Sequence, residues 1–102
     1  MLNLDFVLQP KTEQRIKRIL DQYQDKEVFF QDIIKNQINE LKNEIHNIEI
    51  DLKEFEERYH LSSEDFYNRF TNGELGDDED FMLWSGIYEM QLDNQKKLLE
   101  LR

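Results

Sequence analysis

Apolar residues recur at Ile34, Ile38, Leu41, Ile45, Ile48, Leu52, Phe55 and Tyr59, at alternating intervals of four and three. That is an unbroken heptad seam. Neither Gly nor Pro interrupts the stretch from Val28 to Tyr59. Its Glu, Lys and Gln favour helix, although Asn39, Asn43, Asn47 and Asp51 are weaker formers. The pattern predicts one helix of about 32 residues, roughly 48 Å long. So long a helix with a bare apolar stripe is not stable alone. Another helix must cover the seam, from the same chain or from a second copy. In a parallel pair of copies, Glu44 would face Glu49 and Asp51 would face Glu56, and both pairs are of like charge. The acidic half of the seam therefore needs a different cover.

The chain has 102 residues, 38% hydrophobic and 35% charged. This suffices for one small domain, or for two very small modules that share a helix. It has no cysteine, which removes disulfides and thiolate zinc sites. Asp5 interrupts a short apolar start with no small-residue cleavage site behind it, so a signal peptide is not expected. No apolar run reaches the length of a membrane span, and the expected location is the cytoplasm. The net charge of −10 is uneven: −1 over residues 1–46 and −9 over residues 47–102. The acidic half repels phosphate and attracts a basic partner.

In MLNLDFVLQ, Leu2, Leu4, Phe6 and Leu8 alternate with Asn3, Asp5, Val7 and Gln9. This period of two predicts a short strand with one apolar face. No second strand is legible, so its partner would be the same strand of another copy. Pro10 breaks the strand and suits the first turn of a helix over residues 11–24. Ile16, Ile19, Leu20 and Tyr23 form the apolar face of that helix. Asp25 is a plausible N-cap for the long helix, which Phe29, Phe30, Ile33 and Ile34 open with a broad apolar face.

This order of strand, helix, break and longer helix over Leu2–Leu41 resembles the ribbon-helix-helix fold. The resemblance implies a dimer closed through Leu2, Leu4, Phe6, Leu8, Ile16, Leu20, Phe30 and Ile34. It also implies DNA contact through the outward strand positions Asn3, Asp5 and Val7, with Lys11 and Arg15 nearby. Asp5 is a poor neighbour for phosphate, the usual basic residue is missing, and the usual glycine between the helices is absent. The dimerisation role carries over better than the DNA-reading role.

Beyond the seam, Ser62-Ser63-Glu64-Asp65 reads as a helix start with a capping box between Ser62 and Asp65. The short helix it opens holds Phe66, Tyr67 and Phe70, and Asn72-Gly73 stops it. Asp77 or Asp78 would cap a last helix over residues 79–101, whose first half is apolar all round. Such a helix is buried on two sides or offers a surface to a partner. The expected fold is therefore mainly α: short N-terminal strand, helix, long coiled-coil-like helix, short helix and C-terminal helix. Residues 1–45 would form the dimerisation and DNA-binding module, and residues 46–102 an acidic helical partner-binding region.

The run SSEDFYNRFTNGELGDDEDFMLWSG, residues 62–86, is similar to the C-terminal motif of small acidic proteins encoded beside toxin genes in prokaryotes. That resemblance implies an antitoxin of a type II toxin-antitoxin system. It would be dimeric, bind its operator to regulate transcription, and neutralise a basic toxin. Partner contact would fall to Phe66, Phe70, Asp77, Asp78, Asp80, Phe81, Trp84 and Tyr88. Trp84, Phe81 and Tyr88 would instead anchor a core if the last helix docks on the acidic end of the long one.

No residue pattern here points to catalysis, metal or cofactor. The acids Asp77, Asp78, Glu79 and Asp80 lack EF-hand spacing and fit the start of a helix. His46 and His60 are isolated, and Ser62, Ser63 and Ser85 have no His close in sequence. No glycine-rich phosphate cradle is present. A helical adaptor that oligomerises without touching DNA is the alternative reading.

Overall fold

The computed structural model describes residues 4–102 and contains four helices: α1 Pro10–Asp21, α2 Lys26–Tyr59, α3 Ser63–Thr71 and α4 Glu79–Leu101. The long helix is thus present over the whole expected stretch. The expected N-terminal strand is not: among the described residues there is no strand. Leu2 and Asn3 lie outside the described residues. Leu4, Asp5, Phe6, Val7 and Leu8 form irregular, exposed chain. Alternation of apolar residues supplies no hydrogen bonds, and a strand needs a ladder partner that the rest of the chain does not offer. The ribbon reading of Leu2–Leu8, and with it base contact by Asn3, Asp5 and Val7 from a strand, is withdrawn.

The chain divides into two compact units, one running up to Lys35 and the other spanning Asn36–Arg102. In the first, Pro10 occupies the first turn of α1, where its missing N–H costs nothing. Lys26 closes the far end of α1. Its ammonium donates to Leu20 O, and to Tyr23 O at 3.2 Å, so a cation meets the negative pole of the helix. Asp25 Oδ1 accepts from Glu27 N at 3.0 Å and satisfies a free donor where α2 starts. Tyr23 and Phe29 meet edge to face at 5.2 Å across the break. No residue of α1 is buried.

The second unit has a core. Ile48, Leu52 and Phe55 of α2, Phe66 of α3 and Trp84 of α4 form one buried cluster. Over residues 48–55 the seam of α2 is thus covered from within the chain, by α3 and α4, whereas Ile34 at its start is exposed. The pairings fix α4 antiparallel to α2: Tyr59 meets Asp80, Phe55 meets Trp84, and Ile45 meets Gln91. Antiparallel packing also removes the like-charge pairs that a parallel copy would create.

Two turns make this return possible. His60 ends α2 at a positive φ of 52°, and Leu61 N donates back to Glu56 O. The end of α3 has the Schellman pattern: Glu74 N bonds Arg69 O, Gly73 N bonds Phe70 O, and Gly73 supplies the left-handed φ of 76°. Ser62 Oγ accepts from Asp65 N at 3.1 Å, which is the forward arm of the expected capping box. Asp78 takes the N-cap position of α4, but its carboxylate accepts no capping hydrogen bond.

Candidate functional site

The second unit is organised around Trp84. Its ring stacks on Phe66 with centroids 3.8 Å apart and planes 4° from parallel, and it also stacks on Phe55 and Tyr59. Trp84 and Phe66 are both 0% exposed. A buried indole N–H needs an acceptor, and Ser63 Oγ provides one at 2.9 Å. The backbone N–H of Ser63 in turn donates to Glu56 Oε2 at 2.8 Å. One polar chain therefore runs from α4 through the first turn of α3 to α2, and it explains why Ser63 is buried.

Among the expected partner contacts, Phe66 and Trp84 are the core itself, and Phe70, Phe81 and Tyr88 pack partly buried against it. These aromatics are spent inside the chain. Asp77 and Asp78 are exposed, whereas Asp80 is half-buried and held. Tyr59 OH donates to Asp80 Oδ2 at 2.6 Å, and Arg58 pairs with the same oxygen at 3.0 Å. The Tyr59 hydrogen bond, opposed by burial and reinforced by Arg58, holds the Asp80 carboxyl below its usual pKa of 3.8. The same hydrogen bond pushes Tyr59 above 10.0.

The sign of the linkage follows from these directions. Stability from the depressed Asp80 is present above pH 3.8 and is lost as pH falls through its lower folded value. Stability from the raised Tyr59 is present below pH 10.0 and is lost as pH rises through its higher folded value. Asp80→Asn is therefore expected to lower the plateau of a plot of thermal midpoint against pH slightly and to flatten both limbs. Limbs unchanged in the variant would show that the contact does not persist in solution. The pair is exposed enough that solvent keeps both limbs shallow.

A cleft of about 400 Å³ opens beside the core. Its walls include Glu49 and Glu56 of α2, Glu64 of α3, and Tyr88 and Gln91 of α4. Gln91 Nε2 donates to Ile45 O at 3.0 Å, while its buried Oε1 has no protein donor. Burial pushes the Tyr88 hydroxyl up, and the charges of Glu64 and Glu56 push it further. That cleft is a place of negative potential suited to a cationic side chain. Glu49 and Glu56 share one face of α2, but Glu64 comes from α3 and the walls Tyr88 and Gln91 from α4, so the cleft exists only through the fold.

In the first unit, the expected dimer residues Leu4, Phe6, Leu8, Ile16, Phe30 and Ile34 are exposed, and Leu20 is half-buried. Ile19, Val28 and Ile33 are exposed as well. Lys11 and Arg15 lie exposed on α1, where Lys17 pairs with Glu13 at 3.3 Å. Among the described residues no group of three His, Cys, Asp or Glu is placed to hold a metal ion. No described helix is long and apolar enough to cross a membrane. No family model, curated protein or solved structure shows significant similarity to this chain.

Proposed function

We propose that this chain is a binding protein of the antitoxin kind, which sequesters a basic protein toxin in the cytoplasm and is not itself an enzyme. One observation carries the reading: the chain splits into a unit without buried helix residues in α1 and a unit with its own core and most of the negative charge. The first unit joins copies, and the second grips the partner. The acids exposed at Asp77, Asp78 and Glu79, together with the cleft of Glu49, Glu56 and Glu64, supply the field that draws in a cationic surface. Operator binding, and through it repression of the operon, rests in this reading on Lys11, Arg15, Lys17 and Arg18 of α1.

The test is co-expression with the product of the adjacent gene. The expected result is a complex that survives purification at low salt, falls apart as ionic strength rises, and abolishes the activity of that product. If residues 62–102 are removed and neutralisation is unimpaired, the division of roles is wrong.

The second reading, an oligomerising adaptor without DNA contact, is favoured by one finding: the strand that would enter a DNA groove is not formed among the described residues. A gel shift with the upstream promoter, alone and with the neighbouring protein, separates the two. Retardation lost in Arg15→Ala supports operator binding, and no retardation in either condition supports the adaptor.

A further inference from the structure

The outer face of α4 carries an apolar stripe that the core does not use. Met82, Leu83 and Met90 are 60%, 55% and 57% exposed. At 3.6 residues per turn these three and Gly86 fall on one side of the helix, away from buried Trp84 and Gln91. Gly86 sits in the middle of the stripe and of the helix. A Cβ added there meets nothing within 4 Å, and its φ is not in the left-handed range. Neither a turn nor close packing within the chain calls for glycine, and glycine weakens a helix interior relative to alanine. Flanked by Leu83 and Met90, it leaves a dip in which a second backbone approaches closely.

The surroundings specify the visitor. Asp77, Asp78 and Glu79 are exposed at the N-terminal end of the stripe, with Glu89 and Asp93 exposed along the helix. The cations on this stretch are Lys96, exposed, and Lys97, paired with Asp93 at 3.0 Å. A second copy lying antiparallel about Gly86 would set Glu79 against Asp93, acid against acid, on both sides of the axis. We infer that the stripe docks a basic amphipathic helix of the partner protein. Its apolar side chains lie over Gly86 between the flexible methionines, and its Lys or Arg residues face Asp78, Glu79 and Glu89. The inference rests on the neutralisation reading and names the surface that performs it.

The chain has three methionines, Met1, Met82 and Met90, so methyl-labelled methionine gives two reporters on the stripe and one control. The full chain is titrated with a synthetic Lys/Leu amphipathic helical peptide and with its Glu/Leu counterpart. The expected result is movement of the Met82 and Met90 methyl signals with the basic peptide alone, while Met1 stays still. Gly86→Ala is expected to raise the thermal midpoint by about 4–8 °C yet weaken peptide binding, and Gly86→Leu to weaken it by about tenfold or more.

Movement of Met1 alone, equal response to the acidic peptide, or affinity within about twofold in Gly86→Leu overturns the inference. The same variants are then set against the product of the adjacent gene. If that protein binds wild type and Gly86→Leu equally, the stripe is wrong and neutralisation stands. If it binds neither while the peptide moves Met82 and Met90, the neutralisation reading fails and the stripe stands.

Discussion

Trp84→Ala is expected to unfold residues 36–102 as a unit. Removing a buried aromatic from a core costs about 3–5 kcal/mol, and small domains are stable by only about 5–15 kcal/mol in total. A unit of this size lies toward the low end of that range. The loss is concentrated, because Trp84 joins α4 to both other helices of the unit: Phe55 and Tyr59 on α2, Phe66 on α3, and Ser63 through its indole N–H. Trp84→Phe separates the two contributions. It keeps a ring against Phe66 but leaves a smaller filler and takes the donor from Ser63 Oγ, with an expected cost of about 1–3 kcal/mol. Circular dichroism gives the readout: Trp84→Ala should lose near-ultraviolet signal and its cooperative melt, while Trp84→Phe should melt cooperatively at a lower temperature. In the wild type, the single tryptophan should emit from a buried environment and shift red on unfolding. A Trp84→Ala variant that melts within a few degrees of wild type would show that α4 does not seat on α2 as described.

The seam was the most legible part of this molecule, and its cover was only half legible. The heptad spacing from Ile34 to Tyr59 gave the length of α2. The like-charge pairs between its own acids excluded a parallel copy over the second half. What covered it followed from a conditional: if α4 folds back, Phe81, Trp84 and Tyr88 anchor it. Sequence periodicity does not state that condition, since a helix apolar all round fits both a buried position and an exposed docking face. The structure divides the two roles around one helix. Trp84 and Gln91 face inward, and Met82, Leu83 and Met90 face outward.

The strand failed for a different reason. Period-two alternation in Leu2–Leu8 reports only which residues could share a face, whereas a strand exists only with a neighbour to complete its hydrogen bonds. The acidic cleft was hidden because Glu64 joins Glu49 and Glu56 of α2 only through the turn at His60, and its far wall, Tyr88 and Gln91, comes from α4.

Phe30→Asp combined with Ile34→Asp is expected to convert an assembly of this chain into monomers. Among the described residues the apolar face of the first unit is left exposed. Ile16 and Ile19 of α1 are exposed, as are Phe30, Ile33 and Ile34 at the start of α2. A helix as short as α1 is marginal alone in water, and it persists when its apolar face is packed. Here it has no buried residue, and a second copy is the cover proposed for it. The near-neutral charge of residues 1–46 allows a second copy to supply it without the repulsion that the acidic half would bring. A specific dimer interface needs about 800 Å² from each partner. Two carboxylates placed in such an interface face their symmetry mates in a desolvated setting, a cost of several kcal/mol. Light scattering coupled to gel filtration should give a multiple of the chain mass for the wild type at micromolar concentration and the single-chain mass for the double variant. The near-ultraviolet signal of Trp84 should be the same in both, because residues 36–102 keep their own core. A wild-type chain that runs as a monomer would leave the face of α1 uncovered and refute the assembly. A double variant that keeps the wild-type mass would place the interface elsewhere.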